Sequence, residues 1–169
     1  MVEIKPYKES YVSNVKDIML QICLSEYKCN QWGNAVYMQD WRKWILSQKF
    51  DYYKFYPNHM YMAFDGNKLV GFISIKKIND GTVEIRRFYV LPEYRGRGLG
   101  KSLYKKIMAE VTKLSGIMSV QIIVCVPFVE VINFLEKRGF QITFLDPKKL
   151  EYRMEYMIGS KPEPLVIRG

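Results

Sequence analysis

The sequence predicts one α/β domain built on a mixed sheet, and three observations carry that expectation. Two pairs of β-rich runs are joined by tight-turn residues: Met60 to Phe64 and Leu69 to Ile75 flank Asp65-Gly66-Asn67-Lys68, and Asn79-Asp80-Gly81 leads into Thr82 to Val90. The last of these strands then runs through Leu91-Pro92 and a glycine-rich turn straight into a helical pattern. Finally, the whole chain reads β, α, α, β, β, β, α, β, α, β, β, an alternation that belongs to sheets covered by helices.

Taken in order, Val2 to Lys8 forms a short strand. Val12, Val15, Ile18, Met19 and Ile22 recur at threes and fours, the spacing of a buried helical stripe, with Ser10 or Ser13 placed to cap it. Tyr27 to Tyr61 holds eleven aromatics, including Trp32, Trp41 and Trp44. Within it Met38, Trp41, Trp44 and Ile45 again have helical spacing. After the two hairpins, Leu99, Leu103, Ile107, Val111 and Leu114 hold one face of a helix that Gly116 ends. Ser119 to Val126 is a continuous apolar strand, Phe128 to Lys137 a helix stopped by Gly139, and Gln141 to Leu145 and Glu151 to Ile158 are the closing strands.

Length and composition narrow the function. The 169 residues are 49% apolar, enough for one sizeable core, which excludes disordered chains and mini-proteins. No repeat or linker divides them; 1–160 reads as one domain and 161–169, with its two prolines, as a C-terminal tail. Lys and Arg number 26 against 17 Asp and Glu, so the net charge of +9 points to an anionic partner. Cys23, Cys29 and Cys125 form no CxxC pair, which argues against a disulfide framework or zinc knuckle and for a reducing compartment. Charged residues near the start and the short apolar runs place the chain in the cytoplasm, with no membrane role.

The most informative stretch is VEIRRFYVLPEYRGRGLGKSLYKK, where a strand enters Arg95-Gly96-Arg97-Gly98-Leu99-Gly100 and then a helix. Glycine lets the backbone turn tightly and present N–H groups, and a helix start favours phosphate. Between Lys76 and Lys106 stand nine basic and three acidic residues, a local +6. A dinucleotide fingerprint would need glycine at 101, which is Lys101. A Walker A loop finds G-K-S in Gly100-Lys101-Ser102, but Arg95 occupies its leading glycine position and the next strand brings no aspartate for magnesium.

The turn resembles the R/Q-x-x-G-x-G/A pyrophosphate loop of the GNAT superfamily of N-acetyltransferases. YVLPEYRGRGLGKSLY resembles that family's strand, turn and helix, and NFLEKRGF (133–140) its F-Y-E-K-x-G-F segment. The resemblance spans about residues 2 to 158 and implies the GNAT fold, a mixed, mostly antiparallel central sheet of about seven strands flanked by about four helices. It implies acetyl-CoA as co-substrate, bound by Phe88, Tyr89 and Val90 on the strand and by Arg95, Gly96, Arg97, Gly98, Leu99, Gly100 and Lys101 at the turn. It implies direct transfer of acetyl to an amine in a ternary complex, with the N–H of Val90 directed at the thioester carbonyl. The acceptor is a small molecule or a protein, and the enzyme a monomer or homodimer; neither nucleic acid nor metal is expected.

Residue chemistry adds a base. An alkylammonium with pKa about 10.4 is neutral in only about one molecule in a few thousand at pH 7, and only the neutral amine attacks. Period-2 geometry places Glu84, Arg86, Phe88 and Val90 on one strand face, so Glu84 is the candidate general base; the alternative for it is a salt bridge to Arg86 or Arg87. Leu135 replaces the family tyrosine that protonates the leaving thiolate, so Tyr152, Tyr156 or water must act, and Phe128 replaces an asparagine near pantetheine. Cys125 reads as a small strand hydrophobe and His59 as an ordinary polar surface residue. Most rings between Tyr27 and Tyr61 read as core, and any that line an acceptor pocket would enclose an amine with Glu26, Asp40 or Asp51 as countercharge. Two other readings stay open: a basic nucleic-acid-binding module, and a CoA-binding protein of the same fold without catalysis.

Overall fold

The computed structural model describes residues 1–29, 42–125 and 128–159. Its elements are β1 (Val2–Pro6), α1 (Val12–Cys29), α2 (42–47), α3 (Asp51–Phe55), β2 (Met60–Asp65), β3 (Lys68–Lys77) and β4 (Thr82–Val90). There follow α4 (Leu99–Val111), β5 (Ser119–Cys125), α5 (Val129–Glu136), β6 (Gln141–Asp146) and β7 (Glu151–Met157). The seven strands form one sheet in the order β1-β2-β3-β4-β5-β7-β6. β4 and β5 are parallel, while β1–β2, β2–β3, β5–β7 and β6–β7 are antiparallel. This is the mixed, mostly antiparallel sheet that the resemblance implies.

By packing, the chain divides into two compact units, Met1–Ile75 with Arg87–Lys113, and Lys76–Arg86 with Leu114–Gly169. In the first, β2 and β3 are buried along nearly their whole lengths, Met60 to Phe64 and Leu69 to Ile75, without alternation. Such runs need apolar cover on both faces. Val15, Ile18, Met19 and Ile22 of α1, Ile45 of α2, and Leu99, Leu103, Ile107 and Val111 of α4 are all buried too, whereas Val12 and Leu114 at the ends of their stripes are half-buried and Trp44 of the α2 stripe is exposed. Gly71 on β3 is required by close approach, since a Cβ there would stand 2.9 Å from the Tyr89 carbonyl oxygen.

The second unit alternates. Val83 and Ile85 of β4 and Val120, Ile122 and Val124 of β5 are buried with Ile132 and Leu135 of α5, Phe140 and Met154, while the residues between them are more open. β6, at the sheet edge, is exposed along almost all of its length. The second hairpin is closed as its sequence suggests: the Gly81 N–H donates to Asn79 Oδ1 at 2.9 Å, and the Ile78 N–H to the Thr82 carbonyl at 3.0 Å.

Three local readings differ. β1 ends at Pro6: Tyr7 is buried, and its N–H is shared between the Met60 carbonyl at 2.9 Å and the Pro57 carbonyl at 3.2 Å. A 3-10 turn, Glu9–Tyr11, leads into α1 in place of a serine cap. The aromatic stretch carries α3 and a further 3-10 turn, Pro57–His59, neither legible from periodicity because each is too short to complete a repeat. Of the rings there, Phe50, Tyr53 and Tyr61 are buried, whereas Trp44, Phe55 and Tyr56 are exposed. Trp32, Met38, Asp40, Trp41 and the tail 161–169 lie outside the described residues, as do the side chains of Glu26, Tyr27 and the three cysteines.

Candidate active site

The glycine turn is built as a strand end, a 3-10 turn (Pro92–Tyr94) and then α4. Pro92 starts that 3-10 turn, and the Leu91 N–H ties the strand end back to the Val70 carbonyl at 2.9 Å. Gly96 and Gly98 both lie in the left-handed region, at φ 72 and φ 80, and a Cβ at either would meet nothing within 4 Å. These glycines are therefore set by backbone conformation, not crowding.

Gly98 is the N-cap of α4, and no side chain caps the helix start. The N–H groups of the first turn and the positive end of a 13-residue helix thus face outward beside a glycine that leaves room for an anion. Residues Arg95 to Gly98 and Lys101 are exposed, Gly100 is half-buried and Leu99 is buried, anchoring the helix to its core. Phe88 packs beneath the turn, its Cζ 3.7 Å from where a Gly100 Cβ would sit.

The two arginines of the turn differ in role. Arg95 folds back, Nε donating to the Val90 carbonyl at 2.9 Å, and so pins the strand end. Arg97 lies over the Tyr94 ring at 5.6 Å, while the Tyr94 hydroxyl donates to Asp65 Oδ2 at 2.7 Å. That bond, then burial, raise the Tyr94 pKa. Tyr94 is a supporting residue that sequence reasoning missed. Together the donor set, backbone N–H groups with flanking cations on a strand-turn-helix, suits a pyrophosphate.

Glu84 lies in the second unit, where its parallel partner is Gln121. Its side chain is only 13% exposed, and Arg86 Nε reaches its Oε1 at 2.8 Å, so the salt bridge weighed against the catalytic reading is present. Gln121 Nε2 donates to the other oxygen, Oε2, at 2.5 Å. These donors use one lone pair on each oxygen and leave the rest for water or an ammonium. Arg87 turns elsewhere, donating to Gln48 Oε1 and lying over the Trp44 ring at 5.1 Å. Sequence reading missed Gln121; its one signal is a polar residue inside an otherwise apolar strand.

Leu135 is fully buried in the core of the second unit, so its position supplies packing where the family tyrosine would supply a proton. Tyr152 and Tyr156 are half-buried on β7, the latter with its ring 5.6 Å from Phe140. Phe128 is the N-cap of α5 and makes no side-chain capping bond. His59 departs from a plain surface role: its Nδ1 pairs with the Tyr52 hydroxyl at 2.7 Å, its ring stacks on Tyr56, and burial lowers its pKa. Among the described residues no group of His, Cys, Asp and Glu could hold a metal, and no helix is long and apolar enough to cross a membrane.

A family model described as "Acetyltransferase (GNAT) family" matches residues 27–140. Solved structures share the fold. The PaiA N-acetyltransferase of Thermoplasma acidophilum, in complex with coenzyme A, has 21% identity and a TM-score of 0.73, covering 93% of this chain and 99% of that one. A GNAT-family acetyltransferase from Staphylococcus aureus Mu50 has 17% identity and a TM-score of 0.70, with coverage of 93% and 99%. Naa50 of Arabidopsis thaliana, bound to the bisubstrate analogue CoA-Ac-MVNAL, has 18% identity and a TM-score of 0.61, with coverage of 92% and 97%. No curated protein matches the sequence.

Proposed function

This chain belongs to the acetyltransferase (GNAT) family, and on that premise we propose that it transfers acetyl from acetyl-CoA directly to a primary amine in a ternary complex. The observation that carries the reading is the turn at Arg95–Lys101: two left-handed glycines and an uncapped helix start, joined to strand β4 by one 3-10 turn. Bound acetyl-CoA would supply an activated thioester carbonyl. The backbone from Arg95 to Gly100 would hold its pyrophosphate, with Arg97 and Lys101 adding charge, while Phe88, Tyr89 and Val90 line the pantetheine arm. The Val90 N–H is assigned to the thioester carbonyl, where it stabilises negative charge as it develops.

Glu84 is assigned as general base, directly or through one water. It takes one proton from the ammonium so that the amine nitrogen attacks; the new C–N bond forms, the C–S bond breaks, the thiolate leaves with the electron pair, and the second proton that the nitrogen sheds as the amide forms passes to solvent. A free thiol has pKa about 8.5, so solvent suffices to protonate it and Leu135 is no obstacle. The Arg86 pair does not block this role, because it occupies one side of one carboxylate oxygen.

The test is thiol release from acetyl-CoA across a panel of small amines and peptides with free amino groups, comparing wild type with Glu84→Gln. Saturable turnover with at least one amine, falling about 10²- to 10⁴-fold in Glu84→Gln with acetyl-CoA affinity retained, is the expected result. Acetyl-CoA binding with no turnover for any amine would favour the non-catalytic alternative, and absence of CoA affinity would sink both.

A further inference from the structure

Glu84 is held from two strands. Arg86, two residues along β4, reaches Oε1 at 2.8 Å, and Gln121, opposite Glu84 on β5, donates to Oε2 at 2.5 Å. The two donors are unlike. Arg86 is 40% exposed in its side chain, and a pair between neighbours on one strand face forms whether or not β5 is correctly placed. Contact at Oε1 alone would leave the carboxylate plane free, because the terminal torsion of glutamate is broad and has no staggered wells to stop it. The second donor removes that freedom, since a carboxylate gripped at both oxygens by groups on different strands has one orientation.

The chemistry of the second donor matters as well. Lys or Arg at position 121 would add a second cation beside the carboxylate that must attract an ammonium. A neutral amide donates a hydrogen bond without repelling that ammonium, and it stays uncharged at neutral pH. β5 is otherwise apolar from Val120 to Val124, so a polar residue at this one position, in register with Glu84, is explained by the bond it makes.

We propose that Gln121 is a positioning residue that fixes the plane of the Glu84 carboxylate and so aims its unused lone pairs at the acceptor amine. This rests on the reading of Glu84 as general base. Gln121 touches no reacting atom; it acts only through Glu84. Misaimed bases lose rate without losing substrate binding, because orientation contributes to the transition state and not to ground-state affinity.

The experiment is a double-mutant cycle with Glu84→Gln and Gln121→Leu, using the best amine of the panel, in the steady state with each substrate varied and at raised enzyme concentration so that slow variants stay measurable. Gln121→Met, closer to glutamine in shape, guards against a folding defect in the leucine variant. Gln121→Leu or Gln121→Met is expected to lower kcat about tenfold, with KM for acetyl-CoA and for the amine within about twofold of wild type. In the Glu84→Gln background the same change is expected to cost nothing further. Wild-type kcat in both position-121 variants overturns the proposal. An equal loss in both backgrounds also overturns it, since that shows a structural role independent of Glu84. If Glu84→Gln alone keeps wild-type kcat, the general-base reading fails first and this inference falls with it, a result separable from the other two.

Discussion

Replacing Gly98 separates backbone strain from charge at the turn proposed to hold the cofactor. Gly98 sits at φ 80 and ψ 2, and an added Cβ meets nothing within 4 Å, so Gly98→Ala carries the cost of a left-handed alanine and no clash. That cost is about 1–2 kcal/mol, which for a chain of this size lowers Tm by roughly 2–8 °C. Gly98→Glu carries the same strain and adds a negative charge where the proposed function places the pyrophosphate. Two unit charges about 4 Å apart repel by about 1 kcal/mol in water and about 4 kcal/mol at the effective dielectric of a protein surface. At about 1.4 kcal/mol per tenfold, the expected loss of CoA affinity is between about fivefold and several hundredfold. Isothermal titration with CoA at two ionic strengths reads this directly: Gly98→Ala binds within about threefold of wild type, Gly98→Glu binds far more weakly, and added salt narrows the gap. Equal affinity in Gly98→Glu and wild type would refute the assignment of the turn to the cofactor. An equally large loss in Gly98→Ala would show that loop conformation, not charge, governs binding.

Two further predictions concern stability. A Cβ in Gly71→Ala would lie 2.9 Å from the Tyr89 carbonyl oxygen, 3.3 Å from Val90 Cγ2 and 3.4 Å from Leu103 Cδ1, so β3 and β4 must part slightly. The cost is about 1–3 kcal/mol, with weaker acetyl-CoA binding because Tyr89 and Val90 move; calorimetry showing an unchanged Tm would contradict it. Tyr61 donates to Glu110 at 3.0 Å, and burial together with that bond pushes its pKa up to about 12. Below pH 10 the phenol is protonated in folded and unfolded chains alike. As pH rises from about 10 to 12 the unfolded state loses the proton first, so this group's contribution of about 3 kcal/mol disappears across that window. Urea denaturation at pH 8, 10 and 11.5 should give a shallower alkaline loss in Tyr61→Phe than in wild type; identical slopes would sink the reasoning.

Much of the fold is written locally. Asp65-Gly66 and Asn79-Asp80-Gly81 demand tight turns through their own backbone freedom and side-chain bonds, and the structure makes both. Leu99, Leu103, Ile107 and Val111 announce a helix face through spacing alone, and all four are buried. The glycine turn was legible for the same reason: left-handed backbone at Gly96 and Gly98 and an adjoining helix start are properties of a few consecutive residues. Short α3 and the turn at Pro57–His59 escaped, because five and three residues complete no hydrophobic period.

The polar pairs that join distant parts of the chain, at the candidate site and in the core, were not legible. Gln121 stands 37 residues from Glu84, and Tyr61 stands 49 from Glu110. Whether Glu84 would pair with Arg86 or Arg87 was open in the sequence, and the structure gives it Arg86 while Arg87 turns to Gln48 and Trp44. Turn type, helix face and strand character depend on neighbours within about four residues, so they survive in the linear order of side chains. Which polar atom meets which across strands depends on register, where a slip of one residue reverses every side chain, and register is set only when the apolar face of each strand is packed.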